Sequence, residues 1–134
     1  MDPLAVEAAE EAVQSLHAAL TTEDVQTVLS VFTDDAALFG SELGEEAVGP
    51  EALRAFLTMI CERPGTLSWD CTVAAAGIAG DVAWFLAPGR VQVRGSSGEP
   101  RTIAEPYRLS GVLRQVDGQW KWALLNGSEP ISYD

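Results

Sequence analysis

The chain has 134 residues, 47% of them hydrophobic, which suits a single domain able to bury a core without disulfides or metal. Its 20 acids against 8 bases leave a net charge of −12, which repels phosphate backbones and argues against a nucleic-acid partner. No apolar run approaches the roughly 20 residues of a membrane helix, and the opening MDPLAVEAAEEAVQSL has acids where a leader would have a basic stretch, so a cytoplasmic protein with neither span nor signal peptide is expected.

Val6, Ala9, Val13, Leu16 and Leu20 recur at spacings of three and four, with Glu7, Glu10, Glu11 and Gln14 on the other side, which predicts an amphipathic first helix. After a joint near Thr21–Thr22, a capping-box-like pair, Thr21 and Asp24, precedes a second stripe of Val25, Val28, Leu29 and Phe32. Asp34 and Asp35 read as turn and cap residues, Ala36–Phe39 as a short strand, and the polar stretch to Gly49 as a loop. Pro50 sits where a helix begins and Pro64–Gly65 where one ends, and Leu53, Phe56, Leu57 and Ile60 give that third helix its buried side.

The rest carries strand signals. TLSWDCTVAAAGIAG reads as one strand, turned at Gly80–Asp81, and VAWFLAPGRVQVRG as a second with a bulge or kink at Pro88–Gly89. RTIAEPYRLSGVLRQ and QWKWALLNGS follow as a hairpin across Asp117–Gly118. Three helices followed by an antiparallel meander define an α+β fold, a sheet curled round the helices as a cone with a cavity at its open end.

Cys61 falls in a helix and Cys71 in a strand. With His17 the only histidine, no zinc set is available, and both thiols are expected to be free and buried as small apolar residues. Nothing in the motifs calls for a cofactor.

The order and phrasing, LHAALTTEDVQTVLSVFTDDAALFG, VGPEALRAFL, GDVAWFLA and RLSGVLRQVDGQWKWALLNGSEP, resemble the SnoaL-like branch of the nuclear transport factor 2-like superfamily from about Val6 to Pro130. The resemblance implies a cone-shaped cystatin-like domain with a pocket, and no single reaction, because the superfamily holds enzymes of several kinds beside modules without catalysis. Ketosteroid isomerase, a relative, places a tyrosine, a carboxylate base and a protonated acid where this chain has Leu16, Gly40 and Leu109 or Ser110. None of these transfers a proton, so that mechanism is not expected. The branch often carries a histidine in a phrase like HxSxP. Here the phrase is NGSEP, and Asn126 can hydrogen-bond a ligand but not act as a general base.

The expected pocket is lined by Leu16, Leu20, Phe32, Phe39, Phe56 and Tyr107, with Glu105 and Asn126 as polar contributors, and the first expectation is a binding module for a small apolar or aromatic molecule. The alternatives are a small isomerase, cyclase or hydrolase using Glu105, Tyr107 or His17, and a structural dimerisation module. Glu105 shares alternation with Ile103, Tyr107 and Leu109, so it is either a cavity acid or, beside Pro106, an edge glutamate in water. His17 is either a base or a surface or rim residue. Arg108 and Ser110, on the opposite face, are either a polar patch or simply solvated. Both faces of the last two strands are apolar, Val112, Trp120, Trp122 and Leu124 on one, Leu109, Leu113, Ala123 and Leu125 on the other, which predicts a homodimer through the sheet.

Overall fold

A computed structural model describes residues 1–96 and 98–133. Helix α1 (Pro3–Thr21) begins at Asp2, whose carboxylate accepts the Leu4 N–H at 2.8 Å, while Pro3 occupies a position that needs no N–H. Its buried stripe is Ala5, Ala8, Ala9, Ala12, Leu16, Ala19 and Leu20. The alanines carry the centre of the stripe, and Val6 and Val13 remain half-buried at its edge. Small side chains let the helix lie close to the sheet, so that the Trp122 indole N–H reaches the Ala12 carbonyl at 3.0 Å.

Asp24 itself caps the short α2 (Val25–Leu29). It accepts the Thr27 hydroxyl at 2.6 Å and the Thr27 N–H at 3.2 Å, and these bonds hold its carboxyl below the usual range. Thr21 plays no part in that cap, its hydroxyl donating back to the Ala18 carbonyl. The helix stops at Leu29, and Phe32 opens strand β1 (Phe32–Phe39) instead of extending the helical stripe. Asp34 and Asp35 lie exposed within β1, with Asp35 accepting the Thr33 hydroxyl at 3.0 Å. The loop beyond contains a short strand, β2 (Glu46–Val48), antiparallel to β1; three residues are too few to show a period in sequence.

Helix α3 (Pro50–Glu62) buries Leu53 and Leu57 and half-buries Phe56 and Ile60. The stretch read as one strand is two, β3 (Thr66–Cys71) and β4 (Ala75–Ala79), which pair with successive parts of β5 (Val82–Arg94). The handover falls at Pro88–Gly89, and the register of β5 shifts just beyond it, as the sequence predicts. A methyl at Gly89 would collide with the Asp70 carbonyl, so only glycine admits β3 there. Strands β6 (Pro100–Val116) and β7 (Gln119–Ser128) join through Asp117 and Gly118, whose φ of 51° and 79° make a two-residue type I′ turn.

The strand order is β2-β1-β7-β6-β5-β3, with β4 also on β5, and β1 runs parallel to β7. The curled, unclosed sheet holds the helices on its concave side, confirming the α+β cone. Trp120 and Trp122 are core residues against α1.

Two irregularities decide which residues face inward. Leu113 pairs with Trp122 but Val112 with Leu124, so Ala123 is an extra residue in β7. Before it Trp120 and Trp122 point inward, and after it Leu125 and Gly127 do, which turns Leu124 and Asn126 outward. On β6, Tyr107 and Ala104 oppose Gly89 and Val91, three residues of span against two, and Glu105 and Pro106 fall in the excess. The sheet therefore has one inward apolar face and a convex face on which Ala37, Phe39, Trp84, Leu86, Val112 and Leu124 form an apolar patch.

Candidate functional site

A cavity of about 140 Å³ opens at the wide end of the cone, between α1, α3 and the concave sheet. Leu16 and Leu20 from α1, Phe32 from β1, Phe56 from α3 and Tyr107 from β6 line it, as expected from the sequence. Leu38, Leu57, Leu67, Val91 and Leu125 complete the apolar wall. A second cleft of about 260 Å³ adjoins it, sharing Leu20, Ile60, Arg63, Leu67 and Ile103.

Three expected contributors stand elsewhere. Phe39 alternates with Leu38, and Leu38 is the inward residue, so Phe39 faces the convex side. Asn126 is turned outward by the extra residue at Ala123, and its amide donates to the Ser110 hydroxyl at 3.3 Å. Glu105 is exposed in the irregular stretch beside Pro106, which has no N–H for the ladder.

His17 is not in this cavity either. Its Nε2 accepts the Trp69 backbone N–H at 3.0 Å, and its ring stacks on the Trp69 indole with centroids 5.8 Å apart. Burial lowers its pKa, so the neutral ring is the favoured form. With Nε2 engaged, Nδ1 carries the proton of the neutral ring, and no nitrogen is free to take a proton from a substrate.

Of the polar groups of the cavity, the sequence reading named Tyr107 and passed over the others. Trp69 lines it, and its indole nitrogen is buried without a hydrogen-bond partner. The neighbouring Tyr107 is 5% exposed, and its hydroxyl lies over Gly127, where any side chain would collide with it. Burial raises the Tyr107 pKa first of all, the nearby Trp69 N–H opposes that rise, and the charges of Glu45 and Glu129 add to it. The hydroxyl is therefore a protonated donor beside a second donor, although the indole N–H reaches no acceptor at hydrogen-bonding geometry.

The mouth is acidic. Glu42, Glu45 and Glu129 line it with Ser41 and a single cation, Arg63. Glu129 accepts the Ser41 hydroxyl at 2.7 Å, and Glu45 accepts the Glu42 backbone N–H at 2.9 Å. Gly40 leaves room for this arrangement, since a Cβ there would meet the Glu45 carboxylate at 2.5 Å. The signal was present in GSELGEE, a glycine-punctuated loop returning to the end of β1, but nothing in its composition says that it folds over a cavity.

A curled sheet closed by helices around a lined cavity defines a cone-shaped pocket protein of the nuclear transport factor 2-like class. The SnoaL-like domain family matches residues 9–132, and the chain belongs to that family. No curated protein matches its sequence. Among solved structures, it is similar to a proposed aromatic ring hydroxylase from Novosphingobium aromaticivorans, with 23% identity over 98% of this chain and 94% of that one and a TM-score of 0.76. A nuclear transport factor 2-like protein of unknown function from Pseudomonas putida shares 18% identity over 100% and 92% of the two chains, with a TM-score of 0.72. A proposed dehydratase of the same family from Streptomyces avermitilis shares 15% identity over 95% and 96%, with a TM-score of 0.73. At these identities the likeness establishes the fold.

Proposed function

We propose that the protein binds a small, mainly apolar molecule of single-ring size in the cone. The observation that carries this reading is the cavity itself, about 140 Å³ and walled by Leu16, Leu20, Phe32, Phe56, Trp69 and Tyr107. An apolar cavity of about 150 Å³ accommodates a benzene-sized ring, close to the space here. The test is titration with tyrosol, a neutral phenol, followed by the resonance of the Trp69 indole N–H. Saturable displacement of that resonance supports the reading; a resonance unmoved by tyrosol and by related neutral phenols overturns it.

A second reading, proton-transfer catalysis, is favoured by one observation: the Glu45 carboxylate fills the space beside Gly40, at the mouth of a cavity that holds two donors. A carboxylate and a hydrogen-bond donor in one cavity are what proton abstraction beside a carbonyl requires. Turnover of an enone lost in Glu45→Gln with binding retained would establish it.

Two further elements complete the proposal. A second copy covers the convex apolar patch, because Trp84 is 51% exposed on it and a patch of this kind can be self-complementary about a two-fold axis. The protein works in the reducing cytoplasm, where Cys61 and Cys71 stay unbridged.

A further inference from the structure

We infer that the cleft adjoining the cone cavity is a carboxylate subsite formed by Arg63 and Arg101, so that the protein takes a ring with a short acid tail in preference to the matching alcohol. This deepens the small-molecule reading and rests on it.

The sheet register sets Arg101 among apolar residues. Leu67 on β3 pairs with Val93 on β5, and Val93 pairs with Arg101 on β6, so the three form one row across the sheet. All three line the second cleft. So does Ile103, two residues along β6 and therefore on the same face as Arg101. Leu67 and Ile103 also line the cone cavity, which makes this the face that looks into the cone. Arg63 comes to the cleft from the end of α3 and borders both spaces.

Neither guanidinium is neutralised. Among the described residues neither forms an ion pair, and Arg63 donates only to the Met59 sulfur at 3.7 Å, a weak acceptor. Glu23 is the one acid lining the cleft, so positive charge is in excess there, in a chain whose net charge is −12. Glu42, Glu45 and Glu129 line the cavity and not the cleft. Their field repels an anionic tail from the mouth and turns it towards the arginines. The planar fork of a guanidinium matches the two oxygens of a carboxylate.

The two spaces are continuous in their lining. Leu20, Ile60, Leu67 and Ile103 belong to both, so a ring in the cone can extend a methylene tether along apolar side chains into the cleft. The cavity of about 140 Å³ is of single-ring size, and the cleft of about 260 Å³ has room for the tether and its acid. Together they describe an arylalkanoate.

The probes are 4-phenylbutanoate and 4-phenylbutan-1-ol, which share ring and tether and differ at the head, with tyrosol as the reference for the cone. Titrated by calorimetry into the intact protein at low salt, the carboxylate is expected to bind at least about fivefold more tightly than the alcohol. Added salt should narrow that gap, and Arg101→Gln, on a side chain that lines only the cleft, should bring the carboxylate down towards the alcohol. The salt arm needs no variant, so it decides the matter even where the substitution disturbs the fold. Equal affinity for the two probes, preference for the alcohol, or a gap untouched by both salt and Arg101→Gln overturns the carboxylate subsite and leaves the pocket standing. Binding of tyrosol alone also overturns the subsite without touching the pocket. Failure of all three to bind overturns the subsite and the small-molecule reading together.

Discussion

The Trp69 backbone N–H donates to His17 Nε2 at 3.0 Å while the two rings stack 5° from parallel, so the only histidine of the chain ties α1 to β3 behind the cavity wall. The tie requires the unprotonated nitrogen. Burial lowers the native pKa of His17 below its ordinary 6.5. The unfolded chain then binds the proton more readily, so this contribution to stability is complete above the unfolded-state value and declines as pH falls through it towards the native one. Urea midpoints measured from about pH 7.5 down to about pH 5 should fall more steeply for the wild type than for His17→Gln. Parallel curves would show that the ring does not titrate with folding.

Gly127 bears the Tyr107 hydroxyl directly on its Cα, with no room for a side chain. Gly127→Ala is expected to destabilise the fold by about 1–3 kcal/mol through overpacking. The same change in a Tyr107→Phe background should cost less, since the colliding oxygen is gone. A double-mutant cycle on chemical denaturation reads the difference, and strict additivity would mean the contact is not the cause.

The convex patch predicts a dimer. Light scattering at micromolar concentration should give twice the chain mass, and Trp84→Lys or Leu86→Lys, on a face that contributes nothing to the core, should give single chains with the same circular dichroism. A wild-type mass of one chain would remove the dimer.

Cys61 and Cys71 are both half-buried and free, and burial raises both thiol pKa values, with Asp24, Glu23 and Glu62 adding to the rise at Cys61. A thiol reagent near neutral pH should react slowly with the native protein and promptly with two groups after unreduced denaturation. Prompt reaction in the native state would place a thiolate where burial argues for a thiol.

The fold was legible because helical and strand periods are local properties, and Pro50, Pro64–Gly65 and Asp117–Gly118 punctuate them. The largely apolar lining followed from the same stripes: Leu16, Leu20, Phe32, Phe56 and Tyr107 lie where they were expected. The polar half did not. The resemblance put Asn126, and strand alternation put Glu105, in the cavity, and one extra residue at Ala123 and another beside Pro106 turn them away without any mark in composition. Trp69 and the mouth glutamates become site residues only through long-range pairing. β3 meets β5 across the Gly89 irregularity, and the loop after β1 is brought to Glu129 by the parallel pairing of β1 with β7, neither of which a local window can see.

That parallel pairing joins Leu38 to Leu125, two walls of one cavity drawn from opposite ends of the chain. The cavity therefore depends on pairing between distant parts of the chain, and its integrity reports on the whole domain. A molecule that occupies it holds the two walls together and shifts the thermal midpoint upward by mass action, with a gain in stability set by its concentration and affinity. The ligand can therefore be sought blind, from a library of metabolites, with the melting of the protein as the sole detector.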